Sequence, residues 1–395
     1  MQETDFYQHL LALPDLRVTG VAYQPNRITL FCQPTAPQQA CPHCLKPTAQ
    51  IHQYTTRQVR DLDISGRQVY LQIQLRQFVC PDCNRYFNES LAFADSAKSY
   101  THRQAKWIVE CCARQPFTAV AALLDMNPKT VERSYYHHCQ QHLNLPARYA
   151  TVKGLGIDEI AHRKGKNHYC CVLTDLDKGI VLDILPTRSK EALVAHFQKL
   201  GPAFCQQIES VSFDMWPAYY QLSRTCFPQA VLVIDRFHVV KLLNEVLDRF
   251  RRKLRREFPW KLAFKSIKWA LFKSRPTAAE QTQLAAACKQ SPRLATLLAL
   301  RNRFHRYFET AQTESALAQS LQTWLGEAKT SGCSQLASFI GTLERWLAPI
   351  ANYAHQRLTN AATEGLNNLI RYVKRISFGL PNFEHLRLRV LTFAI

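Results

Sequence analysis

The spacing of apolar residues changes period several times along the chain, and each change marks a new kind of element. Val69, Leu71, Ile73 and Leu75 alternate with other residues directly after Ser65-Gly66, which predicts a half-buried strand leaving a tight turn. In "THRQAKWIVECCARQPFTAVAALLDMNPKTVERSYYHHCQ", residues 101–140, the pattern reads as three short helices. Pro116 ends the first, the second runs from about Thr118 to Asp125, and Asn127-Pro128 opens the third as N-cap and first helical residue. From Lys153 the texture turns to short apolar runs. "GLGIDEI" is a short apolar run ending in Asp158, and "HYCCVLTDLDKGIVLDIL" makes two strands around an Asp-Lys-Gly turn. "IESVSFDMW" and "AVLVIDRFHVV" supply strands that end on Asp214 and Asp235. Helices "SKEALVAHFQKL" and "PAYYQLSRTCFP" fall between them, so this segment predicts a mixed α/β sheet of at least five strands. Residues 245–350 then read as helix after helix. A last helix in "TNAATEGLNNLIRYVKRISFGL", residues 359–380, buries Leu366, Leu369, Ile370, Val373 and Ile376. Its polar face carries Glu364, Asn367, Asn368 and Arg371.

Composition narrows the class. At 395 residues and 47% hydrophobic content, the chain is long enough for two or three domains with their own cores. A formal charge of +20 points to a polyanionic partner, nucleic acid ahead of a membrane surface. No run of about eighteen apolar residues predicts a membrane span. The opening "MQETDFYQHLLALPDL" lacks the basic end and apolar stretch of a secretory signal. With 14 cysteines, the expectation is reduced thiols in a cytoplasmic, nucleoid-associated protein.

Some of those thiols are spaced for metal. Cys41 and Cys44 in "CPHC", with Cys80 and Cys83 in "CPDC", offer the four thiolates of one tetrahedral structural zinc. The hairpin pattern between the pairs completes the outline of a zinc ribbon. A redox dithiol is the alternative for either pair alone, and the presence of two pairs weighs against it. Cys111, Cys112, Cys170 and Cys171 sit in apolar surroundings and read as core. The three helices behind the ribbon fit a helix-turn-helix, whose last helix presents Lys129, Thr130 and Arg133 to bases or phosphates. An ordinary helical bundle with a charged face is the alternative; the adjacent ribbon and the net charge favour DNA. His137, His138 and Cys139 read as a partly buried helix end.

The acids at strand ends raise a different question. Each is partly desolvated, and several brought together repel one another unless a cation neutralises them. Carboxylate oxygens are natural Mg²⁺ ligands, and two such ions about 4 Å apart serve phosphodiester chemistry. Taken singly, each acid also fits a strand-end turn or a salt bridge, and spacing does not show that Asp158 and Asp214 converge. Glu364 has a local reading as well: Asn360 caps the helix, and a first-turn carboxylate complements its dipole. In "DRFRRKLRREFPWKLAFKSIKWALFK", Arg251, Arg252 and Arg255 interleave with aromatic residues. That mixture suits a surface clamping DNA and equally an amphipathic helix with a solvated basic face.

The ordered series "CPHC…CPDC", the three helices, "GIDEIAHRKGKNHYCCVLTDLDKG", "SFDMWPAYY", "VIDRFHVVKLLNEV" and "TNAATEGLNNLIRYVKRISFGLPNFEHLRLRVL" resembles the DDE transposases of the ISL-three insertion-sequence family. The likeness runs from about Cys41 to the last residues. It implies a ribonuclease-H-like core in which Asp158, Asp214 and Glu364 hold two Mg²⁺ or Mn²⁺ ions. It also implies that Asn367, Arg371, Lys374 and Arg375 meet DNA backbone near the metals. Asp235 then stands beside the ligands as the competitor of Asp214, and His238 orients a water or phosphate, or simply packs within the fold. The 150 residues from Asp214 to Glu364 exceed one crossover and imply an inserted domain.

The expected organisation is an N-terminal segment (1–37), a zinc ribbon (38–95) and a helix-turn-helix domain (96–146). A catalytic core follows (147–244), then an all-α insertion (245–350) and the core's C-terminal helix (351–395). The expected activity is binding of double-stranded terminal inverted repeats, hydrolysis at the element ends and joining of the 3′-OH ends to target DNA, as a homodimer or larger. A catalytically silent DNA-binding regulator and a structure-specific nuclease are the rivals. Intact acids weigh against the first, and sequence-reading modules against the second.

Overall fold

The computed structural model describes residues 3–162, 169–258, 267–273, 275–356, 361–378, 380 and 382–393, without the side chains of 355–356 and 361–364. The chain divides into two compact units, residues 1–143 with 376–379 and residues 144–375 with 380–395.

The first unit begins with α1 (Glu3–Leu11), β1 (Leu16–Gln24) and β2 (Arg27–Pro34). A two-stranded piece, β3 (Gln39–Ala40) and β4 (Pro47–Thr48), brackets the first cysteine pair. The long hairpin β5 (Ile51–Ile64) and β6 (Arg67–Val79) follows, and β7 (Tyr86–Asn88) pairs with β6 beyond the second cysteine pair. Ser65 and Gly66 turn the hairpin at φ of 49° and 75°, the left-handed geometry that matches strand twist in a two-residue turn. As the alternation requires, Val69, Leu71 and Ile73 are fully buried and Leu75 nearly so. The sheet order is β1-β2-β6-β5, and β2 runs parallel to β6. The segment expected to stand apart at 1–37 therefore shares a sheet and a core with the hairpin through β1, β2 and α1: Tyr7, Leu11, Leu16 and Leu30 pack with Val59 and Leu71.

Three helices complete this unit: α2 (His102–Arg114), α3 (Phe117–Leu124) and α4 (Pro128–His142). Thr101 caps α2, and Asn127 Oδ1 accepts from Lys129 N at 2.9 Å to cap α4, with Pro128 at its first position. Asp125 takes a left-handed conformation between α3 and α4. Buried Asp61 of β5 accepts from Thr101 Oγ1 at 2.8 Å and from Arg103, which fastens the hairpin to α2.

The second unit opens with α5 (Leu145–Tyr149) and a meander of β8 (Gly154–Ala161), β9 (Tyr169–Asp175) and β10 (Ile180–Leu185). Helices α6 (Lys190–Leu200) and α7 (Pro202–Gln207) lead to β11 (Ser210–Phe213); α8 (Pro217–Cys226) leads to β12 (Val231–Ile234). The order is β10-β9-β8-β11-β12, with β11 parallel to both β8 and β12. Gly156 has a steric reason: a Cβ there would lie 2.1 Å from Thr174 Oγ1 on β9.

From β12 the chain enters α9 (Arg236–Glu257), whose Val239, Leu243, Leu247 and Leu254 join the sheet's core. Then come α10 (Ala278–Gln290), α11 (Pro292–Thr310), α12 (Glu314–Thr330), α13 (Ala337–Arg345), α14 (Leu347–Ala351) and α15 (Tyr353–Gln356). Trp324 is fully buried among Phe304 and Phe339, and its indole N–H donates to Leu300 O at 2.8 Å. The last helices are α16 (Ala361–Ile376) and α17 (Phe383–Thr392). Arg387 of α17 grips buried Asp183 of β10 through two bonds of 2.6 and 3.0 Å.

Candidate functional site

Two turns of nearly identical geometry hold the four cysteines. Cys41 N donates to Lys46 O and Leu45 N to Cys41 O; in the second turn Cys80 N donates to Arg85 O and Asn84 N to Cys80 O. Leu45 and Asn84, the residue after each second cysteine, both have left-handed φ, 64° and 52°. The four Sγ atoms all lie within 4.8 Å of one another, with Cys41–Cys83 at 3.6 Å and Cys44–Cys80 at 3.5 Å. A tetrahedron with metal–sulfur bonds of about 2.3 Å has edges of about 3.8 Å, so the thiols stand close to zinc-ligand spacing. Burial opposes ionisation of Cys41, but N–H groups of Cys44 and His43 outweigh it and bring that thiol down to about 7.

The strand-end acids meet through register. Phe213 of β11 pairs with Ile157 of β8 on one side and Ile234 of β12 on the other. The next residues are Asp214, Asp158 and Asp235, so three acids stand level on three adjacent parallel strands. Asp214 and Asp235 lie just past the ends of β11 and β12, whereas Asp158, expected at a strand end, lies inside β8, which continues to Ala161 in register with β9. Asp158 is 8% exposed, and burial together with the Asp214 charge raises its pKa. Asn367 of α16, 6% exposed, donates Nδ2–H to Asp158 Oδ2, which seats that helix against the acids. His238 Nε2 lies 2.7 Å from Asp214 Oδ1 and 3.9 Å from Asp235 Oδ2. Burial pulls the imidazolium pKa down; contact with Asp214 and the charges of Asp214, Asp235 and Asp158 outweigh it and leave it raised. Asp235 itself caps α9, accepting from Phe237 N at 3.0 Å, a structural duty that Asp214 does not have.

Asn367 Oδ1 is buried and receives no hydrogen bond among the described residues, while Asp214 Oδ1 has His238 Nε2 at 2.7 Å. An unsatisfied amide oxygen beside the carboxylates of Asp158 and Asp214 forms the all-oxygen donor set a hard divalent cation takes, so these residues fit Mg²⁺. Among the described residues only the four cysteines gather three or more ligand atoms within 4.8 Å; the side chain of Glu364 lies outside them.

Comparison with known proteins adds the decisive observation. A family model described as a transposase, the ISL3 type, matches residues 155–390, well over half of the chain. A second, described as the zinc-finger of transposases IS204, IS1001, IS1096 and IS1165, matches residues 37–83. The chain belongs to the ISL3 transposase family. It is 30% identical over 374 residues to the transposase for insertion sequence element IS1001 of Bordetella parapertussis, covering 93% of this chain and 91% of that one. The transposase for insertion sequence element IS1557 of Mycobacterium tuberculosis is 26% identical over 378 residues, covering 86% of this chain and 82% of its own length. Family membership makes the cysteine turns a zinc ribbon and the chain a DNA-processing enzyme.

Other basic residues of this transposase are placed less uniformly. Lys129 and Arg133 are exposed on the first turns of α4, with Thr130 half-buried between them. Arg252 and Arg255 are exposed on α9. Arg251 differs from the sequence expectation: it is 4% exposed and held by Asp248 at 2.8 Å, because its position falls on the stripe of Leu247 and Leu254 that faces the core. On α16, Arg371 and Arg375 are exposed, whereas Lys374 Nζ donates to Ala161 O at 2.6 Å, at the end of the strand that carries Asp158. Asn360, the expected cap of α16, lies outside the described residues.

Sequence reasoning missed Glu159 and Arg188, which pair beside the acids, and the clasp of Arg188 between Tyr169 and Trp216. The signal available was Trp216 in "SFDMWP", an aromatic residue where a small capping residue is favoured.

Proposed function

We propose that this chain is a DDE-type DNA transposase that cuts at the ends of its mobile element and joins the freed 3′-OH to target DNA. The observation that carries the reading is the level register of Asp158 and Asp214 on neighbouring parallel strands, with α16 hydrogen-bonded to Asp158. Three antiparallel strands followed by two parallel ones, with acids on the central pair, support a ribonuclease-H-like core. Glu364 precedes Asn367 by one helical turn, which supports it as the third carboxylate. Asp158, Asp214 and Glu364 then hold the divalent ions; bound there, Mg²⁺ supplies activation of the attacking oxygen and neutralisation of the leaving one. Asn367 fixes the orientation of Asp158, and His238 does the same for Asp214.

DNA recognition is assigned to the ribbon and to α2–α4 as a helix-turn-helix, with Lys129, Thr130 and Arg133 at the groove. Arg252, Arg255, Arg371 and Arg375 contact phosphates. The domains expected at 38–95, 96–146, 147–244, 245–350 and 351–395 are part of this proposal. Paired ends call for at least a dimer on DNA.

The test compares Mg²⁺-dependent cleavage and joining of DNA carrying the element's own ends by the parent and by Glu364→Gln, with DNA binding measured in parallel. Binding by both with chemistry by the parent alone is the expected result. Unchanged cleavage by the variant returns Glu364 to a capping role. Cleavage without joining indicates a nuclease, and tight binding without cleavage by the parent indicates a regulator.

A further inference from the structure

A pocket of 340 Å³ opens beside Asp214 and His238 in the second unit, walled by Trp216, Met215, Tyr219, Arg188 and Lys241. Trp216 occupies the N-cap of α8 yet makes no side-chain cap, and Pro217 takes the first helical position. Ser, Thr, Asp or Asn at that position would stabilise the helix by about 1 kcal/mol. A residue that forgoes a local advantage next to candidate catalytic groups marks a functional demand.

The indole is held firmly. Tyr219 meets it edge-on with centroids 4.6 Å apart, and the Arg188 guanidinium lies 5.0 Å from its centroid and 4.6 Å from that of Tyr169. Glu159, the neighbour of Asp158, fixes Arg188 from below. Such a pinned aromatic loses little side-chain freedom when something stacks on it. The Tyr219 hydroxyl, buried in the same wall, finds no hydrogen bond among the described residues beyond its contact with the Cys171 thiol. An aromatic and thioether wall with a planar and an ammonium cation at its edge forms the chemistry that receives a nucleobase with its phosphate. The volume suits one nucleotide and excludes duplex DNA.

We propose that this pocket receives a single nucleotide of the element end, extruded from the duplex next to the bond being cut, with its base against Trp216 and its phosphate near Lys241 and Arg188. Extrusion unstacks the strand at a cost of a few kcal/mol and bares the neighbouring phosphate to Asp158 and Asp214. The inference rests on the reading of those acids as the cleavage site.

The test uses the full-length protein with Mg²⁺ and element-end DNA, either intact or carrying one abasic nucleotide at each position flanking the cut. Trp216→Ala is expected to cut intact DNA about 10–100-fold more slowly than the parent, with end binding unchanged, whereas Trp216→Phe keeps most of the rate. One abasic position should bring Trp216→Ala back to within a few-fold of the parent, because no base remains to be unstacked. A tryptophan needed only for folding gives no such rescue. Parent-like cleavage by Trp216→Ala, or no abasic position that narrows the gap, overturns the inference while leaving the acids in place. Failure of the parent itself to cut intact ends overturns the reading of the acids, and this inference with it.

Discussion

Two regions of this molecule bring together groups that oppose one another without a cation, and they do so in opposite ways. In the ribbon, each cysteine pair is placed by a local turn of six residues, and the two turns are copies of one another. The strand-end acids are placed by nothing local. Asp158 and Asp214 are 56 residues apart and level only through strand register, and Asn367 reaches Asp158 from 209 residues away. Within each cysteine pair the spacing is therefore fixed by short covalent reach and one hairpin brings the two pairs together, whereas the acid spacing depends on the whole second unit being packed. A metal is expected to create order in the first region and to exploit order already present in the second.

That contrast is most sharply tested by removing metal from the ribbon. One zinc per chain is expected by elemental analysis, with a binding free energy on the order of 10 kcal/mol. Cys80→Ser should lose it, along with the cooperative melting of the first unit. Retention of stoichiometric zinc by that variant would end the four-thiolate assignment. The acids should respond the other way. Asp158→Asn is expected to lower cleavage by at least ~1,000-fold, about 4 kcal/mol in barrier, while leaving the fold intact.

The sign of its stability effect follows from the raised Asp158 pKa. A carboxyl whose folded pKa exceeds its unfolded value favours the fold below the unfolded pKa and loses that advantage as pH rises through the folded pKa. At neutral pH without divalent ions, Asp158→Asn should thus melt at or above the parent, and Mg²⁺ should raise the melting temperature of the parent alone. A strongly destabilised Asp158→Asn would mean that the carboxylate is a structural group.

Smaller effects probe how the acid region is kept in shape. Gly156→Ala, two residues before Asp158, must push Thr174 aside and is expected to cost about 1–3 kcal/mol in chemical unfolding. Asn367→Ala removes one bond to Asp158 and should cost about 1 kcal/mol or less in stability, with about a tenfold loss of cleavage. Equal losses from Asn367→Ala and Asp158→Asn would make the amide itself indispensable and blur the distinction between carboxylate and support.

The same contrast explains what could be read from the chain. Both cysteine turns, the strand Val69–Leu75 and the Asn127-Pro128 start of α4 were legible because each is written in adjacent residues with a fixed period. The strand-end positions of Asp214 and Asp235 were legible too, whereas Asp158 lies inside β8 rather than at its end. The convergence of the acids was not legible, since a strand's sequence does not state which neighbour it pairs with or at what register. For the same reason nothing in residues 1–37 announced that β2 would lie parallel to β6. Arg251 shows the limit within a single helix: a run of basic residues hides which one falls on the stripe facing the core. Trp216 was visible but unread, because an aromatic at a helix start gains meaning only once its neighbours are known.

The bond from Asn367 to Asp158 also has a consequence in time. A ribosome makes the two acids of the central strands early and the helix that meets them only after the whole run of α9–α15. A chain interrupted anywhere in that run has both acids and lacks the helix they dock against. The gap between Asp214 and α16 thus works as a delay, separating the synthesis of the site's parts from its completion.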